Sequence, residues 1–507
     1  MKARLLHREE DVDFDRPPPW NEEALTKDLA LNTLFQAMAG GDEFLFEAAR
    51  KVLLSDVRID LETIRYRQEI LRDCLNRPAI VRELYATAVE AMENEKKHFF
   101  IGSLARHPDW LLRRSIELSE MFLGMIRKLR KIADSHADKF VSEGLTALFA
   151  MLQRELGDDY LLRVQHHLLQ LKFRNGVSLK AGLGKGNKGT DHTLLLQRQA
   201  RRKGWLAELI RFLERRPPEL GFSLHPRDEG GARALEDLRN RGVGGVASAL
   251  ARSTDHMRGF FGMLRTELAF YVGCLNLHEE LARKGEPTCF PLPVAPDERR
   301  LSFRGLREIC LALSLDQRVV GNDANADKRD LVMVTGANQG GKSTLLRSIG
   351  VAQLMMQCGM FVSADSFRSS VCDGLFTHYK REEDAAMKSG KLDEELRRMS
   401  DIVDHVSPRS MILFNESFAA TNEREGSEIA RQILSALLDK GVRMVCVTHL
   451  YELAHGFYRK NRGNILFLRA ERQTGGARTF RLSEGEPLQT SFGEDLYDNI
   501  FGVGAGR

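Results

Sequence analysis

From about Leu25 to Leu281, apolar residues recur at helical spacing between charged ones. Leu61, Ile64, Ile70 and Leu71 form one such set. Leu111, Leu112, Ile116, Leu118, Met121, Phe122 and Ile126 form another. This period predicts amphipathic helices packed through one face, and by itself implies no more than a helical bundle. From about Arg300 the pattern changes to short apolar strands followed by helices, which predicts an α/β domain. A proline-rich break, Pro287 to Pro296, separates the two. Ahead of the helices the chain is polar and carries Pro17-Pro18-Pro19, which predicts an extended arm. The expected division is therefore an arm over 1–25, a helical region over 26–299 and an α/β domain over 300–507.

One stretch breaks the helical pattern. Between Phe173 and Thr190 stand Gly176, Gly182, Gly184, Gly186 and Gly189, interleaved with Arg174, Lys180, Lys185 and Lys188. Glycine at this density is incompatible with a stable helix, so a loop or a β-hairpin is expected. Arg198, Arg201, Arg202 and Lys203 follow closely. Such a basic strip suits nucleic-acid phosphates, with Lys180, Lys185 and Lys188 as candidate contacts. It equally suits a solvated loop. No aromatic residues alternate with the lysines, so base stacking is not indicated.

Composition narrows the picture only a little. The 507 residues can hold two or three domains. A formal net charge of +4 neither demands nor excludes a polyanionic partner. The first ten residues lack the apolar core of a signal peptide, and no charge-free stretch is long enough for a bilayer. The seven cysteines are scattered without a CxxC pair, so reduced thiols in a cytoplasmic protein are expected, with no membrane association.

The chemistry concentrates after residue 330. A buried-strand pattern, Leu331-Val332-Met333-Val334, runs into Gly336-Ala337-Asn338-Gln339-Gly340-Gly341-Lys342-Ser343-Thr344. This matches G-x-x-x-x-G-K-[ST] in full, and a helix with apolar Leu345, Leu346, Ile349 and Leu354 follows. Glycines let backbone N–H groups face phosphates, and the helix start adds partial positive charge. Lys342 is the candidate neutraliser of β- and γ-phosphates and Ser343 the candidate Mg²⁺ ligand, so ATP and Mg²⁺ are the expected cofactors.

Two more strands end in polar pairs. Met411-Ile412-Leu413-Phe414 leads to Asn415-Glu416, where P-loop ATPases usually carry Asp-Glu. Glu416 is the candidate general base. Asn415, the second candidate at the metal, keeps the hydrogen-bonding shape without the charge. Met444-Val445-Cys446-Val447 leads to Thr448-His449, and His449 is the candidate γ-phosphate sensor.

In this order these segments resemble the ATPase domain of the MutS family. Gly336–Thr344 is similar to its P-loop. Gly359-Met360-Phe361-Val362-Ser363-Ala364 is similar to the segment after the P-loop helix. Thr448-His449-Leu450-Tyr451-Glu452-Leu453 is similar to its histidine switch, and Ser491-Phe492-Gly493 to its closing Ser-Tyr-Gly. Val319-Val320-Gly321-Asn322-Asp323 resembles the stretch near the adenine, which makes Asn322 a nucleotide candidate. Ala420-Thr421-Asn422-Glu423-Arg424-Glu425-Gly426 resembles the loop that crosses to a partner subunit, and Ser389 stands where the family has its γ-phosphate-capping serine. Weaker likeness at Asp28–Met38 and Ile64-Arg65-Tyr66-Arg67-Gln68 points to the family's core helical domain.

The resemblance implies an ABC-type P-loop ATPase domain behind a helical core and lever domain. ATP would lie between two subunits of a homodimer, and the helical arms would handle DNA in repair or recombination. It also implies a short member, because a mismatch-reading domain, a Phe-x-Glu motif and a connector domain are not found ahead of the helices. The charge lost at Asn415 raises the alternative of an ATP-gated scaffold with little hydrolysis. A transporter ATPase would show LSGGQ, and an SMC-type protein a long coiled coil between Lys342 and Glu416; neither is present.

Overall fold

The computed structural model describes residues 1–99, 107–174, 176–195, 221–337, 339–381, 390–460, 463–472 and 478–488. The chain forms two compact units, each discontinuous in sequence, a grouping that the three linear stretches do not convey. One contains Glu83–Lys139 and Thr146–Arg265; the other contains Arg4–Arg82, Phe140–Leu145 and Thr266–Arg507.

The first unit is helical, as its apolar period predicts. In the helix Pro108–His136, Leu112, Ile116, Phe122, Ile126 and Leu129 are buried, one face of a 3.6-residue period. Pro108 occupies the first turn, where its missing N–H costs nothing. Phe122 stacks on Phe261 of the helix Glu229–Arg283, with ring centroids 5.5 Å apart. Ser119 and Thr254 hydrogen-bond at 3.0 Å inside this interface, so the polar atoms it buries are matched.

The glycine-rich stretch is a hairpin. Strand β1 (Ser178–Leu183) pairs antiparallel with β2 (Gly189–Leu195), with a register shift between Lys180 and Gly182. Leu179 packs into the space beside Gly242 on the long helix. Lys180, Lys185 and Lys188 are all exposed. Arg198, Arg201, Arg202 and Lys203 lie outside the described residues.

The second unit holds two sheets. The smaller comprises β3 (Leu292–Val294), β4 (Leu301–Leu306), β5 (Asn322–Asn325) and β7 (Ser366–Ser370), in the order β3-β7-β4-β5. The Pro287–Pro296 break is thus no spacer: it supplies β3, which pairs parallel with β7. The larger sheet contains β6 (Leu331–Thr335), β8 (Leu375–Tyr379), β9 (Met411–Asn415), β10 (Arg443–Val447), β11 (Ile465–Arg472) and β12 (Arg478–Glu484). Its order is β12-β11-β6-β10-β9-β8, parallel except for β12. Leu331 to Val334 are at most 3% exposed, and the core continues through Met333, Phe414, Leu434 and Phe457. Near-continuous apolar runs are what a parallel sheet covered on both faces requires.

The N-terminal arm has no helix or strand before Glu22 and runs through several bends and turns, and it is docked. Leu5 and Leu6 are fully buried. Their main-chain groups are taken up by side chains: Arg67 Nε donates to Leu6 O at 2.8 Å and Tyr271 Oη donates to Leu5 O at 2.6 Å. Glu267 accepts from the N–H groups of Leu5, Leu6 and Val12. Arg67, itself wholly buried, pairs with Asp56, which also contacts His7 and Arg58. Burial alone would raise the Asp56 carboxyl; the His7 hydrogen bond and the two arginines bring it down to about 2. Further along, Asn21 Nδ2 donates to Leu375 O at 2.9 Å.

Six of the seven cysteines are buried, and Cys289 is half-buried. None forms a disulfide. Among the described residues no helix is long and apolar enough to cross a membrane.

Glu267 generates a pH prediction. Burial pushes its carboxyl up to about 7, against the pull of the three backbone N–H groups. A carboxyl that keeps its proton longer in the folded state stabilises most below the unfolded value, and this contribution fades as pH rises through about 7. At 1.36 kcal/mol per unit the effect is about 3 kcal/mol. Glu267→Gln, which mimics the protonated form, should therefore narrow the difference between urea midpoints at pH 5.5 and pH 8. An unchanged difference would show that Glu267 does not titrate in this window.

Candidate nucleotide site

The site is assembled where parallel strands end. Strand β10 lies between β6 and β9, so the carboxyl ends of all three fall side by side. Backbone hydrogen bonds carry this alignment past the strands: Thr448 N donates to Val334 O at 3.1 Å and Glu416 N to Val447 O at 2.8 Å. The loop after β6, the turn after β9 and His449 after β10 thereby share one edge, the usual ligand edge of such sheets.

Between β6 and the helix Lys342–Gln357 the chain makes the turn that the motif predicts. Gly336 has φ 116°, which L side chains do not adopt, and a Cβ there would stand 2.8 Å from Ala470 N. A Cβ on Gly340 would stand 2.7 Å from Ala470 Cβ and 2.9 Å from Ala337 O. Strand β11, which carries Ala470, thus fixes these two positions as glycine. Lys342 Nζ donates to Gly336 O at 2.8 Å and to Ala337 O at 2.9 Å, which curls the ammonium over the mouth of the loop.

The two candidate metal ligands are in direct contact. Ser343 Oγ donates to Asn415 Oδ1 at 2.9 Å. Both offer oxygen, the donor type Mg²⁺ takes, but neither brings charge. No group of three or more His, Cys, Asp or Glu suited to a metal occurs among the described residues. The donor set therefore fits a cation that arrives with phosphate oxygens, and does not fit a cation held by protein alone.

Glu416 follows Asn415 in the left-handed region, φ 54°. His449 Nδ1 lies 3.8 Å from its Oε2, and both side chains are partly exposed. A cavity of about 530 Å³ opens beside Glu416, within the range of small-molecule sites; His449 is not among its lining residues. Gln339 to Thr344 and Glu416 form its polar wall; Leu311, Leu315, Val319 and Val320 form an apolar one. Asn322 also lines it, but its amide is engaged: Nδ2 donates to Phe480 O at 3.2 Å and Oδ1 accepts from Leu482 N at 2.8 Å. Asn322 thus ties the smaller sheet to β12. Asn422 stands apart from the cavity, exposed at the start of the helix Glu423–Asp439, where its side chain accepts from Glu425 N at 2.9 Å. Asn338, Ser389 and Ser491-Phe492-Gly493 lie outside the described residues.

The family comparisons match this arrangement. A model described as MutS2 N-terminal domain matches residues 59–284, and one described as MutS domain V matches residues 332–495. The chain belongs to the MutS family. Similar proteins include "DNA mismatch repair protein MutS" of Porphyromonas gingivalis, 30% identical over 41% of this chain and 25% of that protein. "DNA mismatch repair protein MutS" of Roseiflexus sp. is 26% identical over 50% of this chain and 25% of that protein. "Endonuclease MutS2" of Lacticaseibacillus casei is 30% identical over 43% of this chain and 28% of that protein. This MutS-family chain thus spans about a quarter of the length of the curated relatives it matches.

Sequence reasoning missed a buried support behind Glu416 in this MutS-family site. His378, at the end of β8, is fully buried, with Nδ1 2.7 Å from Ser417 Oγ and Nε2 2.9 Å from Glu395 O. Burial, reinforced by Arg398, lowers the His378 imidazole to about 4, so it is neutral near pH 7. A carbonyl only accepts, which assigns the ring proton to Nε2; the single Ser417 hydroxyl proton faces both Nδ1 and His378 O, the latter 2.6 Å away. The ring also stacks on Phe418, centroids 5.1 Å apart. The turn with positive φ at Glu416 and Phe418 is thus clamped from below. A lone histidine at the end of an apolar strand carries no motif signal that would have revealed this.

Ser417→Ala should remove the hydroxyl that contacts both His378 Nδ1 and His378 O in the buried turn and cost about 1–3 kcal/mol. A urea midpoint equal to that of the wild type would exclude the clamp.

Proposed function

We propose that this MutS-family chain binds and hydrolyses ATP and couples nucleotide state to movement of its helical region on DNA, in repair or recombination. The carrying observation is the convergence of the Gly336–Thr344 loop, Glu416 and His449 on one strand edge beside a cavity of nucleotide size. Lys342 would leave the carbonyls of Gly336 and Ala337 to meet the β- and γ-phosphates. Mg²⁺, bound together with the nucleotide, would neutralise phosphate charge, and Ser343 and Asn415 are the residues that would hold it. Glu416 would take the proton of the attacking water, and His449 would donate one hydrogen bond to the γ-phosphate.

The site as a whole would be completed by a second copy of the chain. Asn422 and Ser389 are proposed to act across that contact, and the exposure of Asn422 on its helix start supports an outward role. The helical region would carry DNA, with Lys180, Lys185 and Lys188 contributing phosphate contacts. Their exposure on a two-stranded hairpin supports this.

A second reading is an ATP-gated scaffold with little hydrolysis. The neutral Ser343–Asn415 pair favours it, because the usual carboxylate charge near the metal is absent.

Steady-state turnover and nucleotide binding decide between these. Lys342→Ala should remove most ATP affinity. Glu416→Gln should keep ATP bound, stabilise a dimer, and lower turnover by about 10²- to 10⁴-fold. If Glu416→Gln hydrolyses ATP like the wild type, the general-base assignment is lost. Across a Mg²⁺ series, Asn415→Asp should lower turnover if the site is rebuilt around asparagine; a rise would mark a weakened metal site instead.

DNA binding is tested separately. The triple variant Lys180→Ala, Lys185→Ala, Lys188→Ala should weaken DNA binding without changing sequence preference. It should also flatten the log–log salt slope by up to about 3. A slope unchanged within error would remove the hairpin from the DNA surface.

A further inference from the structure

At the opposite end of the large sheet, where β9 and β10 begin, a second cleft carries charge that the protein leaves unmatched. It has a volume of about 150 Å³ and is lined by Arg299, Arg409 and Arg443, with Asp297, Ser370 and Ser410. Met411 also lines it, whereas Asn415 at the other end of β9 belongs to the nucleotide edge. Four residue steps separate them, about 13 Å along the strand. The cleft is therefore distinct from the nucleotide cavity.

Arg443 is 8% exposed. Its Nη1 donates to Arg300 O at 2.8 Å, and its Nε is buried without a partner. Among the described residues no carboxylate lies within ion-pair distance of it. The neighbouring arginines are matched: Arg299 pairs with Asp330, and Arg300 with Asp327 at 2.9 Å. Asp327 also accepts from Leu301 N, and it attracts Arg443 through space without reaching ion-pair distance. Arg409 is exposed at the rim, and its side chain makes no hydrogen bond or ion pair among the described residues. Asp297 stands at the same rim and offsets part of this charge.

Burying an unpaired ion costs several kcal/mol, so buried charges in proteins are almost always matched. Arginine cannot escape by losing its proton. Burial and the nearby Arg299 bring the Arg443 guanidinium down to about 10, still charged at neutral pH. The matching charge is thus expected from outside the chain. Two unmatched guanidiniums call for a dianion more than a single carboxylate, and their planar forks fit phosphate oxygens. The volume lies below the roughly 300–1,000 Å³ of drug-sized sites, so one group fits and a whole nucleotide does not.

We propose that this cleft is a binding site for a single phosphate group, gripped by Arg443 from within and Arg409 from the rim. The site does not depend on hydrolysis at the nucleotide edge. Free phosphate and the terminal phosphate of a nucleic acid share the required chemistry.

The test uses the full chain in phosphate-free buffer with Lys342→Ala as background, which silences the nucleotide loop. Inorganic phosphate is titrated by calorimetry and by thermal shift. A parallel arm compares a short oligonucleotide with and without a 5′-phosphate. Saturable phosphate binding should persist in the Lys342→Ala background and weaken about tenfold or more on adding Arg409→Glu, an exposed change that spares the fold. Arg443→Met should abolish it; should that variant not fold, Arg409→Glu decides alone. A response to inorganic phosphate supports a free anion, and one confined to the 5′-phosphorylated oligonucleotide supports a nucleic-acid end. No binding in the Lys342→Ala background, or equal binding with Arg409→Glu added, would overturn the proposal.

Discussion

Everything at the nucleotide edge depends on the in-register parallel pairing of β6, β10 and β9. That pairing continues one residue beyond the strands, through Thr448 N to Val334 O and Glu416 N to Val447 O. On the far side of β9, Lys380 N donates to Asn415 O at 2.9 Å. These bonds set the three polar ends at a common height. A slip of one residue would turn each strand's side chains to the opposite face and carry Glu416 away from the loop. The apolar runs on both sides hold the register, since every alternate pairing would expose buried side chains.

This explains why the strand ends that meet at the candidate site were legible in the sequence. A phosphate loop must follow a buried strand and open a helix, so Leu331–Ser343 could be read directly. Asn415-Glu416 and Thr448-His449 were legible for the same reason: a strand pattern ending in polar residues marks the ligand edge. The helical faces of the first unit followed from their period, and Leu112, Ile116, Phe122 and Ile126 are buried as the pattern requires. The glycine-rich stretch could be read only as a loop or a β-hairpin, because the two share the same composition; pairing of Ser178 with Leu195 decides for the hairpin.

What escaped the sequence is polar and long-range. Arg67, Glu267 and Tyr271 look like ordinary positions of amphipathic helices, yet they converge on the main chain of Leu5 and Leu6. A hydrophobic pattern records which faces are buried, not which buried polar atoms meet. Hence the docking of the arm, read only as extended, was not foreseen, and the Pro287–Pro296 break contributes a strand. His378 and Ser417 escaped for the same reason, as did the engaged amide of Asn322. Asn422, read through the resemblance as part of a loop that crosses to a partner subunit, stands at a helix start as its N-cap.

The buried cysteines have a consequence for reactivity. The thiolate, not the thiol, attacks alkylating and oxidising reagents. Burial raises all seven thiols, with Cys289 at about 11 and Cys358, Cys372 and Cys446 at about 12. At neutral pH almost none of them is ionised, and six are also screened from reagent. The folded chain is therefore chemically quiet toward maleimides and mild oxidants. Labelling at an individual cysteine becomes a clock for the opening of the element that covers it. Cys358 would report release of the helix end against Val52, and Cys446 the loosening of β10 at the heart of the sheet.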